Sequence, residues 1–361
     1  MSIITFKSLE RNECIHGGIF STNPDIVKLD FSSSINPLGI PKKTLNILSR
    51  KLKDLCSTYP DPECRLLKES LVNHLDADIQ KEWILCGNGA TEIIHIFSKV
   101  FSKELCLIPV PSFCEYELSS RIYGSPIEFV KLNDLRLDID NILESSRKCS
   151  TVFLCNPNNP TGILESEAIE KIINRLDSSK IIFLDESFIE LTDRPDSYSM
   201  VKKLLEYDNL IILRSLTKAY GLAGLRIGYC LANPRIIDLL SHYLVSWNVN
   251  GLAQLSALTA LSDTEFIKNS REFIRKEREY MINTIWKRCK YAFPLASDVN
   301  FFLINLTKIT STNLYQRLLN KQGILVRDCS NFRGMDSNYI RVAVRSRREN
   351  SELLKALEMF C

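Results

Sequence analysis

Lys218 stands in the segment Arg214-Ser215-Leu216-Thr217-Lys218-Ala219-Tyr220-Gly221-Leu222-Ala223-Gly224-Leu225-Arg226, a turn between two apolar runs. An amine in such a turn, flanked by small residues, suits covalent chemistry on a carbonyl compound. Ser215 and Arg226 are spaced to hold a dianionic phosphate beside it, Arg226 through a forked, charge-assisted contact. Asp185 closes another apolar run, 180–185. The carboxyl ends of parallel strands are where open α/β sheets bind ligands. A carboxylate there can keep a heteroaromatic ring nitrogen protonated; capping a helix is its ordinary alternative role. Asn156-Pro157-Asn158-Asn159-Pro160-Thr161-Gly162 is a rigid turn that can aim an asparagine amide. Gly87-Asn88-Gly89-Ala90-Thr91-Glu92 precedes a helical pattern, and exposed N–H groups at a helix start favour an anion. Each of these loops follows a strand-like run, so one sheet would gather all four on one edge.

The elements that must position them alternate. Short apolar runs at 83–86, 105–109, 127–131, 151–155, 181–185, 210–214 and 227–231 read as buried strands, with helical patterns at 91–101, 165–176 and 198–206. Unalternated apolar strands separated by amphipathic helices predict an α/β layer around a mostly parallel sheet. Beyond residue 250 a long helical stretch over 252–288 is followed by strands at 300–305, 324–327 and 339–344 and helices at 311–321 and 347–359. The expected division is an N-terminal segment, 1–45, packing on a small C-terminal α+β domain, 251–361, with a large domain over 46–250.

The chain has 361 residues, 45% apolar and 25% charged, with 46 basic against 43 acidic residues. This excludes disorder and gives no bulk charge for nucleic-acid or membrane binding. None of the twelve cysteines forms a C-x-x-C pair, and no run approaches the length of a membrane span. With no apolar stretch in the first 13 residues to mark an export signal, the expectation is a reduced, cytoplasmic protein.

Together, Gly89-Ala90-Thr91, Asn156 to Gly162, Asp185, Ser215-x-x-Lys218 and Arg226 resemble the fold-type-I pyridoxal-phosphate enzymes of the class I/II aminotransferase group, over nearly the whole chain. The resemblance implies a seven-stranded large domain, a small α+β domain and pyridoxal 5'-phosphate as cofactor. It makes Lys218 the covalent attachment point, Asp185 the partner of the ring nitrogen, Asn159 the contact to the ring oxygen and Phe113 the stacking ring. Gly89, Ala90, Thr91, Ser215 and Arg226 would hold the cofactor phosphate. Tyr59, in Tyr59-Pro60-Asp61-Pro62-Glu63, matches a residue that reaches the neighbouring subunit's site and so implies a homodimer. Many members have tyrosine where this chain has Phe188, which cannot donate to the ring oxygen.

Within the group, His16-Gly17-Gly18, the run Asp30 to Gly39, Trp247-Asn248-Val249-Asn250 and Tyr339 to Ser346 resemble the L-threonine-O-3-phosphate decarboxylases of cobalamin biosynthesis. The 219–224 segment is closer to the histidinol-phosphate aminotransferases, which stay as the alternative. The implied substrate is a phosphorylated hydroxy-amino acid, O-phospho-L-threonine or O-phospho-L-serine. Arg341 would grip its carboxylate. Arg345, four residues on and therefore on the same face of an extended strand, would meet its phosphate, with His16, Ser34 and Asn36 as further substrate contacts. No metal is implied. A ligand-sensing protein on the same fold would need a DNA-binding domain for which the chain has no spare length.

Overall fold

The computed structural model describes residues 14–75, 77–101 and 104–360. The first 13 residues, which carry the expectation about export, and Cys361 lie outside them. Among the described residues no helix is long and apolar enough to cross a membrane.

A seven-stranded sheet forms the larger body, in the order Ile84–Gly87, Gly228–Leu231, Leu210–Ser215, Ile181–Asp185, Thr151–Cys155, Cys106–Val110, Ile127–Lys131. All strands run the same way except Gly228–Leu231, which is antiparallel to both its neighbours. The expected mostly parallel sheet is therefore present. Its central strands are apolar over most of their length because both faces are covered, with Asp185, Arg214 and Ser215 only at their carboxyl ends. Leu107, Val152, Leu154, Ile182, Leu184 and Ile212 enter one core. Ile108, Phe153, Phe183, Ile211 and Leu213 enter the other, against the helix Ala90–Val100. The register sets Asp185 opposite Cys155 and Leu213, so the chemistry-bearing loops leave one edge of the sheet together.

The second body is a four-stranded antiparallel sheet, Arg327–Asp328, Tyr339–Ala343, Phe301–Leu306 and Ala292–Pro294, beneath the helices Ser311–Gln322 and Arg347–Phe360. The strand expected over 324–327 is divided. Ile324–Leu325 pairs in parallel with Leu29–Asp30, whereas Arg327–Asp328 pairs with Tyr339–Ala343. That first pairing, and Phe31 in the core beside Phe302 and Val342, seat the N-terminal segment on this body as expected.

Three expectations need correction. The helical stretch over 252–288 is two helices, Gly251–Leu261 and Thr264–Arg288, because the Asp263 side chain accepts from Phe266 N and starts a new helix. Ala253, Ala257, Ala260, Ile267 and Ile274 belong to the core of the larger body, and the core of the smaller one takes over at Met281 and Ile285. The change of core thus falls inside one helix rather than at residue 250. The pattern over 198–206 forms a short helix, Pro195–Tyr198, and a 3-10 turn, Val201–Glu206. Finally, the cysteines are not all reduced. Cys14 and Cys114, 100 residues apart in sequence, form a disulfide. Sequence spacing does not reveal a pairing made by folding the N-terminal segment across the sheet body.

Candidate active site

A cavity of about 460 Å³ lies between the carboxyl edge of the large sheet and the small body. Lys218 enters it from the short helix Leu216–Ala219, which directly follows the strand Leu210–Ser215. Burial, with like charge from Arg341 and Arg226 and against the opposite charge of Asp185, pushes the Lys218 amine down to about 8. Near neutral pH a fraction on the order of a tenth is therefore unprotonated, far more than for an ordinary lysine, and that is the form that attacks a carbonyl carbon.

Asp185 is the last residue of its strand and is buried. Its Oδ2 accepts from the Tyr116 hydroxyl at 2.7 Å and its Oδ1 from Ser187 N at 2.8 Å. Burial raises its pKa, while these hydrogen bonds and Lys218 oppose the rise. Tyr116, from the helix Cys114–Ile122, is an unforeseen member of the site. Its ring stacks on Phe153 at 5.1 Å. The period of its helix marks it only as a core residue.

At the other end, Ala90, Thr91, Ser215, Thr217 and Arg226 line the cavity. Gly89 caps the helix Ala90–Val100 at φ +81, and a Cβ there would lie 2.4 Å from Arg226 Nη2. Only glycine lets this guanidinium close on the helix start. Ser215 Oγ and Thr217 Oγ1 are 2.7 Å apart. Hydroxyls, a guanidinium and a helix N-terminus converge here, the donor set of an anion cup. Phe113 lines the wall with its ring edge-on to Tyr116. Phe188 also lines it and packs against Phe301.

Asn159 is buried in the lining, and its Oδ1 accepts from Arg341 Nη1. Arg341 also donates to the Ser32 carbonyl at 2.9 Å. Burial lowers its pKa to about 10, which leaves it charged at neutral pH. Arg327, on the neighbouring strand and in register with Arg341, is a second cation that sequence reasoning missed. It lines the cavity, is buried, and reaches the carbonyl of Ile15 at 2.7 Å. An arginine closing the short apolar run Ile324-Leu325-Val326 was the available signal, of the same kind as Asp185. Among the described residues neither arginine has a carboxylate within ion-pair distance. Like charges directly across a strand pair repel, so the pair calls for an anion between them.

His16 and Ser34 line the same end. His16 Nε2 is 2.7 Å from Glu115 Oε1, and His95 Nε2 is 3.1 Å from Glu115 Oε2. Burial alone would raise the Glu115 carboxyl, but the two histidines hold it down to about 2. Glu115 and His95 were not foreseen.

Two expected contacts fall elsewhere. Arg345 does not line the cavity. The strand ends at Ala343, so the four-residue spacing from Arg341 no longer implies a common face, and its guanidinium is 3.5 Å from Glu349. Asn36 is spent on the lysine loop, with Nδ2 donating to the Ala219 carbonyl at 2.6 Å and to Ser270 Oγ at 2.8 Å. Tyr59, expected to serve the neighbouring subunit's site, is 78% exposed and its ring lies 4.7 Å from that of Trp247 in a tilted contact.

The lining fits pyridoxal 5'-phosphate. It pairs an anion cup with a nearby low-pKa amine and a buried carboxylate. The buried Ser34 Oγ, Ser187 Oγ and Arg341 Nε have no hydrogen-bond partner among the described residues, as befits donors that meet a polar ligand.

Comparison with known proteins agrees with this arrangement. The chain is 34% identical over 348 residues to a histidinol-phosphate aminotransferase of Methanococcus aeolicus, covering 94% of this chain and 91% of that one. It is 35% identical over 330 residues to a protein of Caldanaerobacter subterraneus provisionally named threonine-phosphate decarboxylase, covering 90% and 88%. The crystal structure of the histidinol-phosphate aminotransferase from Clostridium acetobutylicum superposes with a TM-score of 0.85 at 36% identity, over 92% of this chain and 98% of that one. With residues 26–358 matching the family model for aminotransferase class I and II, the chain belongs to that family.

Proposed function

We propose that this pyridoxal-phosphate enzyme decarboxylates O-phospho-L-threonine, or O-phospho-L-serine, to 1-aminopropan-2-yl phosphate or ethanolamine phosphate for the cobalamin nucleotide loop. The observation that carries the reading is the buried, cross-strand pair Arg327 and Arg341, which has no carboxylate partner among the described residues. A substrate with a carboxylate and a phosphate supplies one anion to each.

Held at Lys218, pyridoxal 5'-phosphate would supply an electron sink for the charge developing at the substrate Cα. Asp185 keeps negative charge at the ring nitrogen, and Tyr116 and Ser187 fix its two oxygens. Arg341 holds the substrate carboxylate, with Asn159 orienting the guanidinium. Arg327, with His16 and Ser34 beside it, holds the phosphate. Gripping both ends would fix rotation about Cα and so select the bond to the carboxylate, and not the bond to hydrogen, for cleavage. After carbon dioxide leaves, the Lys218 ammonium returns a proton to Cα. Its pKa of about 8 lets it carry and release that proton near neutral pH.

The reading includes a homodimer. Tyr59 and Trp247, in ring contact and both exposed, support a second copy of the chain at that surface. The second reading, amino-group transfer from histidinol phosphate, is favoured by relatives of that name at equal identity. Mass spectrometry of products from phosphothreonine, phosphoserine and histidinol phosphate, with and without 2-oxoglutarate, separates the two. Carbon dioxide release without the keto acid is expected. Amino transfer from histidinol phosphate with no carbon dioxide from either phospho-amino acid would overturn the proposal.

A further inference from the structure

The disulfide between Cys14 and Cys114 sits at the cavity mouth. Cys114 begins a helix of the large body and lines the cavity beside Phe113. Cys14 opens a segment that is otherwise carried by the small body. The Ile15 carbonyl accepts from Arg327 Nη2 at 2.7 Å, and Gly18 N donates to Ser32 Oγ at 2.8 Å. A Cβ on Gly17 would lie 2.4 Å from the Ser32 carbonyl oxygen, so this segment runs flush against the Ser32 backbone. The next residue inward, Phe31, is in the small body's core. One covalent bond therefore ties the two bodies together across the cavity.

The same bond is a partition. A second cavity of about 370 Å³ adjoins the first, and it is lined by Cys14 and Cys114. His16 lies two residues from one half-cystine, and its partner Glu115 directly follows the other. Whatever moves the segment at Cys14 moves His16 and the backbone acceptor of Arg327 with it.

We propose that Cys14 and Cys114 form a redox latch that holds the phosphate end of the site closed. The inference rests on the cavity binding a phosphorylated substrate, but not on which reaction follows. A dithiol reductant opens the latch. Its thiolate attacks one sulfur, the S–S bond breaks, and its second thiol displaces the remaining protein sulfur. Two electrons and two protons pass to the cysteine pair, and the reductant leaves as its own disulfide. A small-molecule disulfide reverses the step. Once opened, residues 14–18 are held only by non-covalent contacts, so the competent arrangement is less populated and apparent affinity falls by that fraction.

The test uses the holoenzyme treated with oxidised glutathione or with dithiothreitol, and the Cys14→Ser variant. Peptide mapping of the oxidised protein should yield the linked peptides of Cys14 and Cys114. Reduction, and equally Cys14→Ser, should speed amide exchange at Gly18 and raise KM for the phosphorylated substrate about tenfold, with kcat changed less than about twofold. Failure to form the linked peptide overturns the latch. So does a linked protein whose exchange at 14–18 and KM are the same after reduction. The exchange measurement needs no turnover. If none of the proposed substrates reacts but exchange still responds to reduction, the functional reading fails and the latch stands.

Discussion

The Tyr116 hydroxyl, on the helix Cys114–Ile122, donates to Asp185 Oδ2 at 2.7 Å, and both residues are buried. Burial raises the pKa of Asp185, so this donor is part of what keeps the carboxylate charged. Tyr116→Phe preserves the packing on Phe153 and removes only the hydrogen bond. A bond to a charged group contributes about 1.5–3 kcal/mol. The variant should bind pyridoxal phosphate more weakly and lose about tenfold in kcat, as read by absorbance titration and steady-state kinetics. Unchanged values for both would reduce Tyr116 to a packing residue.

Lys218 should be the most reactive lysine of the cofactor-free protein. With its amine at about 8, its neutral fraction rises with pH and levels off above that value. An ordinary lysine is still almost fully protonated there, near 10.4. Lysine-resolved acylation followed by peptide mass spectrometry across about pH 6–10 measures this directly. Lys218→Ala should abolish turnover and leave the fold intact. A midpoint for Lys218 like that of the surface lysines contradicts the assigned burial and charge effects.

Asn36 predicts an effect on stability, not on substrate recognition. Its side chain serves the buried Ala219 carbonyl and Ser270 Oγ and the N–H of Leu38. Asn36→Ala strands these groups at a cost of roughly 3 kcal/mol, visible as a lower urea midpoint. A variant with normal stability and a raised KM would instead return Asn36 to the substrate.

Arg327 and Arg345 should behave differently. Arg327→Ala removes a cavity-facing cation and should raise KM by about 2–5 kcal/mol in binding terms, with Arg327→Lys recovering part of the loss. Arg345→Ala breaks a half-exposed pair with Glu349, and such pairs contribute about 0–1 kcal/mol. Its KM should stay within about twofold of wild type. Equal losses at both positions would mean that Arg345 turns toward the substrate in solution.

Glu115 supplies a pH signature. Its carboxyl is held at about 2 against an ordinary 4.5. A lowered pKa stabilises the folded state above 4.5, and the contribution is lost as pH falls from 4.5 toward 2. At neutral pH it is on the order of 2–3 kcal/mol. Denaturation of wild type and Glu115→Gln should therefore differ most near neutrality and converge in acid. A constant difference across that range would assign the effect to shape and not to charge.

The site was legible wherever a functional side chain terminates a strand or opens a helix. Asp185, Lys218, Arg226 and the Asn156–Gly162 turn punctuate apolar runs, and a break in a simple pattern is visible in one dimension. Tyr116 and Glu115 were not legible. They lie on the inward face of an ordinary helix, where a polar atom at an apolar-looking position gives no sign of what it meets. Arg345 shows the converse: its spacing from Arg341 predicted a shared face, but the strand stopped at Ala343.

The order of apolar runs, turns and helical patterns by itself determined the α/β sheet and the loops that carry the cofactor chemistry. Strand and helix periodicity, and the residues that end them, are local properties. Tertiary structure alone decided three further features: the cross-strand pairing of Arg327 with Arg341, the hold of Glu115 on His16, and the bond from Cys14 to Cys114. Each joins residues from separate elements, and their meeting depends on strand register and on how two bodies close over one cavity. Those are non-local choices, made by packing energy summed over many side chains, and no short stretch of sequence records them.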